Sequence, residues 1–241
     1  MSPNPESFLR LLRSSGYHSR SNKHSNALAE AIVADLMACC PRMAEKARRG
    51  LLVYDLNFTI KAGTSDWNVD LVLGSPPPPP RLPEKGAAIR QSPPSSVEVA
   101  IEIKSVMTEH RKAVKNRKRD LEAHHEHVHR YNNLAIAAGV LVVNQAATFK
   151  SPLRAAVTQH KNPGALVEHC LREIRGITSR PDFQGEGLEA QAVIVVEMDN
   201  QDWPSTRYVT RTPAPAVGDP LHYDAFVQSL CRLYTQRFGG G

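Results

Sequence analysis

Apolar residues recur along the chain at two periods, and the change from one to the other marks out the elements. From Asn26 to Ala38, Leu28, Ile32 and Leu36 recur at every fourth position, with Ala29, Val33 and Met37 widening the stripe. This predicts an amphipathic helix, capped by Ser25 or Asn26 and ended before Pro41. A short helix is predicted over residues 4–15. Three β-rich stretches follow: Leu51 to Ile60, Trp67 to Leu73 (closed by Gly74 and Ser75), and Val97 to Ser105. Helical spacing returns from Glu109 to Asn132, with Thr108 as cap and Val114, Leu121 and Val128 seven apart on the buried side. Leu134 to Asn144 reads as a fully buried strand. A helix over Pro163 to Arg175, a strand over Ala192 to Met198 and a helix over Leu221 to Phe238 complete the order. Helix, three strands, then alternating helix and strand implies an α/β fold with a central mixed sheet flanked by helices.

One stretch breaks the pattern. Residues 76–94 hold eight prolines, five of them consecutive, so a stiff surface loop with neither helix nor sheet is expected there. The 241 residues read as one domain: a core over about 22–144 containing the proline-rich loop, and a C-terminal α/β extension over 145–241. A hydrophobic fraction of 41% supports a packed core and excludes wholesale disorder. The apolar run from Leu134 to Val143 is about half the length of a membrane-spanning helix, and the N-terminus lacks a signal-peptide pattern. A cytoplasmic protein is expected. The four cysteines, Cys39, Cys40, Cys170 and Cys231, have no zinc-site spacing and are expected as buried, reduced thiols.

Two strands carry charges where apolar residues belong. Side chains two apart on a strand share a face, so Glu102 and Lys104 lie together with Ala100, while Ile101 and Ile103 face the other way. Asp70 interrupts the preceding strand, and pairing of the two strands brings it toward Glu102. Buried charges are costly without a partner. A structural Asp–Lys or Glu–Lys bridge is one answer. The other is a hard divalent cation such as Mg²⁺, held by the two carboxylates, which lowers the pKa of a bound water beside a phosphate. Lys104 then orients that water or offsets charge on the phosphate.

Asp70 followed by Glu102-x-Lys104, in an α-β-β-β-α-β order over roughly residues 22–144, resembles the PD-(D/E)xK nuclease superfamily with its restriction-endonuclease-like core. Val69 stands where many members have proline. The resemblance implies Mg²⁺-dependent hydrolysis of DNA phosphodiesters, with Asp70 and Glu102 as metal ligands and Lys104 catalytic. It adds Glu30 as the candidate acidic residue on the first core helix, an ordinary solvent-facing Glu being the alternative. A restriction-type or defence nuclease is the expected class, working as a homodimer because cutting both strands needs two centres. A cognate methyltransferase or defence partner fits that class.

Charge distribution adds one more expectation. The net charge is +6, and residues 111–119 hold six basic residues and no acidic one. Lys115, Arg117, Lys118 and Arg119 are the candidate phosphate contacts, against the alternative of a solvated face. Further along the same helix, His125-Glu126-x-x-His129 matches the letters of a zinc-protease motif, but without a third ligand at a recognisable spacing. A non-catalytic DNA-binding protein is a further alternative.

Overall fold

The computed structural model describes residues 5–62, 65–108 and 111–239. Its helices are α1 (Glu6–Ser15), α2 (Lys23–Cys39), α3 (Pro41–Arg48), α4 (Arg111–Tyr131), α5 (Pro163–Arg175) and α6 (Tyr223–Phe238). The long strands are β1 (Val53–Ala62), β2 (Ser65–Ser75), β4 (Ser96–Val106), β5 (Ile136–Asn144) and β8 (Ala190–Glu197). Four two-residue strands are β3 (Arg90–Gln91), β6 (Thr148–Phe149), β7 (Thr158–Gln159) and β9 (Arg207–Tyr208). The predicted helix starts at residue 4 and at Glu109 lie outside the described residues.

A mixed sheet of seven strands in the order β3-β1-β2-β4-β5-β8-β9 forms the centre of this α/β fold. β1, β2 and β4 run antiparallel to one another in turn, whereas β4, β5 and β8 are parallel. Parallel neighbours need crossovers, and α4 and α5 supply them. β8 pairs directly with β5, so the segment after residue 144 extends the same sheet.

Two apolar layers cover the sheet. On one face Leu28, Ile32 and Leu36 of α2 pack with Ile101, Ile103 and the Phe226 side of α6. On the other face Val114, Leu121 and Val128 of α4 pack with Ala100, Leu141 and the Leu166 side of α5. The seven-residue seam predicted for α4 is therefore its buried face, and β4 alternates as its sequence implied. All nine residues of β5 are buried, as befits a central strand covered on both sides.

Pro41 lies just beyond the end of α2, as expected, and also opens the unpredicted α3, where its missing N–H costs nothing. Two readings need correction. The proline-rich stretch does contribute to the sheet, because Arg90 and Gln91 pair parallel with Val53 and Tyr54 beyond a buried Ile89. Gly74 does not close β2 but continues it across a register shift opposite β4, where an added Cβ would collide with the Ser96 carbonyl. All four cysteines are free thiols; Cys40 and Cys170 are buried, while Cys39 and Cys231 are half-buried. Among the described residues no helix is long and apolar enough to cross a membrane.

Candidate active site

The ladder between β2 and β4 ends at the pair Leu71 and Ile101. Asp70 and Glu102 are the next residues outward on the two strands. There the strands part, and the Asp70 carboxylate accepts the backbone N–H of Ile103 at 2.8 Å. Opposite Asp70 on β1, Asn57 is left out of the ladder and adopts φ +52°, a left-handed conformation that asparagine tolerates better than most residues. The far half of the β1–β2 hairpin thus departs from the sheet. It leans over α4, where the Trp67 ring stacks on His127 with centroids 4.5 Å apart and planes inclined by 11°.

The parting opens a cleft lined by Trp67, Asn68, Asp70, Glu102, Lys104 and Asp120. Glu102 lies at its base, only 3% exposed. Its Oε1 pairs with the Lys104 ammonium, while its Oε2 is buried without a hydrogen-bond partner. Removal from water, with Asp70 adding repulsion and Lys104 opposing both, pushes the Glu102 carboxyl up to about 7. Burial also raises Asp70, partly offset by the Ile103 N–H, Lys104 and the Ser25 hydroxyl. His124, fully buried on α4, donates from Nε2 to the Ala100 carbonyl at 3.2 Å and faces Glu102 Oε2 with Nδ1 at 3.9 Å. Burial lowers its pKa to about 3, so it is a neutral wall and not a counter-ion.

Asp70, Glu102 and Lys104 therefore share one site. Glu30 does not line it: that side chain is exposed and acts electrostatically on Tyr54 of β1, and the α2 residue beside Asp70 is Ser25. The basic run divides. Arg117 donates from Nε to the Ser105 carbonyl at the end of β4 and from Nη1 to Asp120. Lys118 turns to α5, 3.6 Å from Glu173, whereas Lys115 and Arg119 are exposed. His129 Nε2 bonds Glu189 at 3.2 Å, within a buried cluster that includes Arg180 and Arg237. Among the described residues no group of three or more His, Cys, Asp or Glu is arranged to hold a metal. Asp70 and Glu102 form a pair of carboxylates.

Trp67, Ser25 and Asp120 were not legible as site residues. Each reaches the cleft through strand parting or helix phase, and no local motif marks them. Comparison with known proteins gave no matching family model, no matching curated protein and no matching solved structure.

Proposed function

We propose that this chain is a Mg²⁺-dependent endonuclease that hydrolyses DNA phosphodiesters, with a restriction-endonuclease-like core formed by α2, β1, β2, β4, α4 and β5. The observation that carries the reading is the unpartnered, buried Oε2 of Glu102 beside Asp70 at the point where β2 and β4 part. A buried acceptor without a donor calls for an explanation, and two adjacent carboxylates supply hard oxygen ligands suited to a divalent cation. The residues present fit such an ion.

Asp70 and Glu102 are the residues that would hold it. When bound, it would neutralise their charges and acidify a water for attack on phosphorus. Asp70 is oriented by the Ile103 N–H and does not depend on the ion for its position. Lys104 is held at the cleft by Glu102, and its ammonium offsets negative charge that builds on the phosphate oxygens. Trp67 and Asp120 of α4 complete the lining of the cleft, in which Glu102 is buried.

Incubation of the purified chain with supercoiled plasmid tests this. Relaxed or linear product with Mg²⁺ and none with EDTA is expected; cutting that persists in EDTA, or none under any divalent ion, overturns it.

A further inference from the structure

A second cavity adjoins the cleft and shares Lys104 with it. It lies between the α1–α2 connection, the first turn of α2 and the C-terminal end of β4. Its polar wall includes Tyr17, Ser21, His24, Ser25, Lys104 and Arg117. Its apolar wall includes Phe8, Leu12, Leu28 and Met107. The lining carries two cations and no carboxylate, in contrast to the cleft with Asp70, Glu102 and Asp120.

Three features of the cavity call for a ligand. The N-terminus of α2 opens here with no cap from Asn22, whose amide is turned away to Asn57, and the Ser21 hydroxyl accepts only the Lys23 N–H. With Lys23 N–H held by Ser21 and Asn26 N–H by the Asn22 carbonyl, the rest of the first turn and the positive end of the dipole favour an anion. Arg117 spends Nε and Nη1 on Ser105 and Asp120, which leaves Nη2 for an incoming oxygen. His24, 9% exposed, donates from Nε2 to the Gly16 carbonyl, so its Nδ1 is a buried acceptor with no partner. An anion alone would not satisfy that nitrogen; a hydroxyl or amine of the same ligand would.

We propose that this cavity receives one nucleotide of the strand being cut, splayed out of its stack. Its phosphate lies against Lys104, Arg117 and the start of α2, its base against the apolar wall, and a sugar hydroxyl or base N–H meets His24. The inference rests on the nuclease reading and narrows its substrate. A nucleotide can enter this cavity only when it leaves its stack, so unpaired strands, flaps and gaps are favoured over intact duplex.

Calorimetry of the full chain in EDTA tests it, because without a cation the carboxylates of the cleft repel anions and binding is confined to the cavity. Deoxyadenosine 5′-monophosphate is expected to bind about tenfold or more tightly than either deoxyadenosine or inorganic phosphate. Arg117→Gln should weaken the nucleotide by about tenfold with its melting temperature little changed. Lys115→Gln removes the same charge from an exposed position of α4 and should leave binding intact. Equal binding of phosphate and nucleotide, equal weakening by the two variants, or no binding at millimolar nucleotide would each overturn the proposal. Failure of nucleotide binding alongside Mg²⁺-dependent plasmid cutting rejects the cavity alone; binding without cutting keeps a nucleotide site and rejects the nuclease.

Discussion

The Asp70 carboxylate takes the backbone N–H of Ile103 at 2.8 Å, a donor freed by the end of the β2–β4 ladder. One side chain thus satisfies the parted strand and is fixed beside Glu102. Function and local stability meet in this bond, and two substitutions separate them. Asp70→Asn keeps an acceptor oxygen and should unfold in urea within about 1 kcal/mol of the native chain. Asp70→Ala orphans the Ile103 N–H and should cost about 1–3 kcal/mol. Equal stability of the two would show that the bond does not hold the strands.

Glu102 links the site to pH. Its proton is held more tightly in the folded chain, so its contribution to stability is complete below about pH 4.5 and is lost as pH rises through about 7. In EDTA at pH 8, Glu102→Gln should therefore be more stable than the native chain, by on the order of 2–3 kcal/mol. The gap should close toward pH 4, because His124 and the other titrating groups are common to both proteins. Added Mg²⁺ should raise the melting temperature of the native chain and not that of the variant. A pH-independent gap would place the ionisation elsewhere.

Arg117 and Lys118 are neighbours in sequence but serve different surfaces. Each phosphate contact contributes about 0.9 to the slope of log affinity against log salt for duplex DNA. Arg117→Gln should make that slope shallower by about 0.9, while Lys118→Gln, freed only from Glu122 and Glu173, should leave it unchanged. The opposite ranking would move the DNA path to the α5 side.

Periodicity made most of the fold legible. The Leu28–Ile32–Leu36 stripe, the Val114–Leu121–Val128 seam and the apolar run of β5 each bury the predicted face, because burial at these positions dominates local choice. The short elements were hidden. β3, β6, β7 and β9 have two residues each, too few for an alternating pattern; β3 and β9 pair with β1 and β8, and β6 and β7 with each other. Within the site, Asp70, Glu102 and Lys104 stood out as charges on apolar strands. Ser25 and not Glu30 meets Asp70 because the two lie five residues apart on α2, about 140° around the helix, so the phase that brings Ser25 to Asp70 turns Glu30 to solvent. The fourfold basic run could not be divided from sequence, since its partners Glu173 and Ser105 come from elements placed by the sheet.

The proline-rich segment leaves β2 at Ser75, five residues and about 17 Å along the strand from Asp70. Replacing residues 77–87 with a short Gly/Ser turn, while keeping Ile89 to Gln91 against β1, should preserve both folding and Mg²⁺-dependent cutting. Loop-closure entropy changes only slowly with length. Loss of cutting in a folded deletion would show that the segment contacts substrate.

The metal-dependent phosphodiesterase centre proposed at Asp70 and Glu102 is open to a decisive test. The most direct measurement is the rate of supercoiled plasmid cleavage in Mg²⁺ by the native chain, Asp70→Asn and Glu102→Gln, each verified as folded by circular dichroism. The native chain should cut and both variants should lose at least about a thousandfold in rate. Cutting by either folded variant at the native rate would contradict the account.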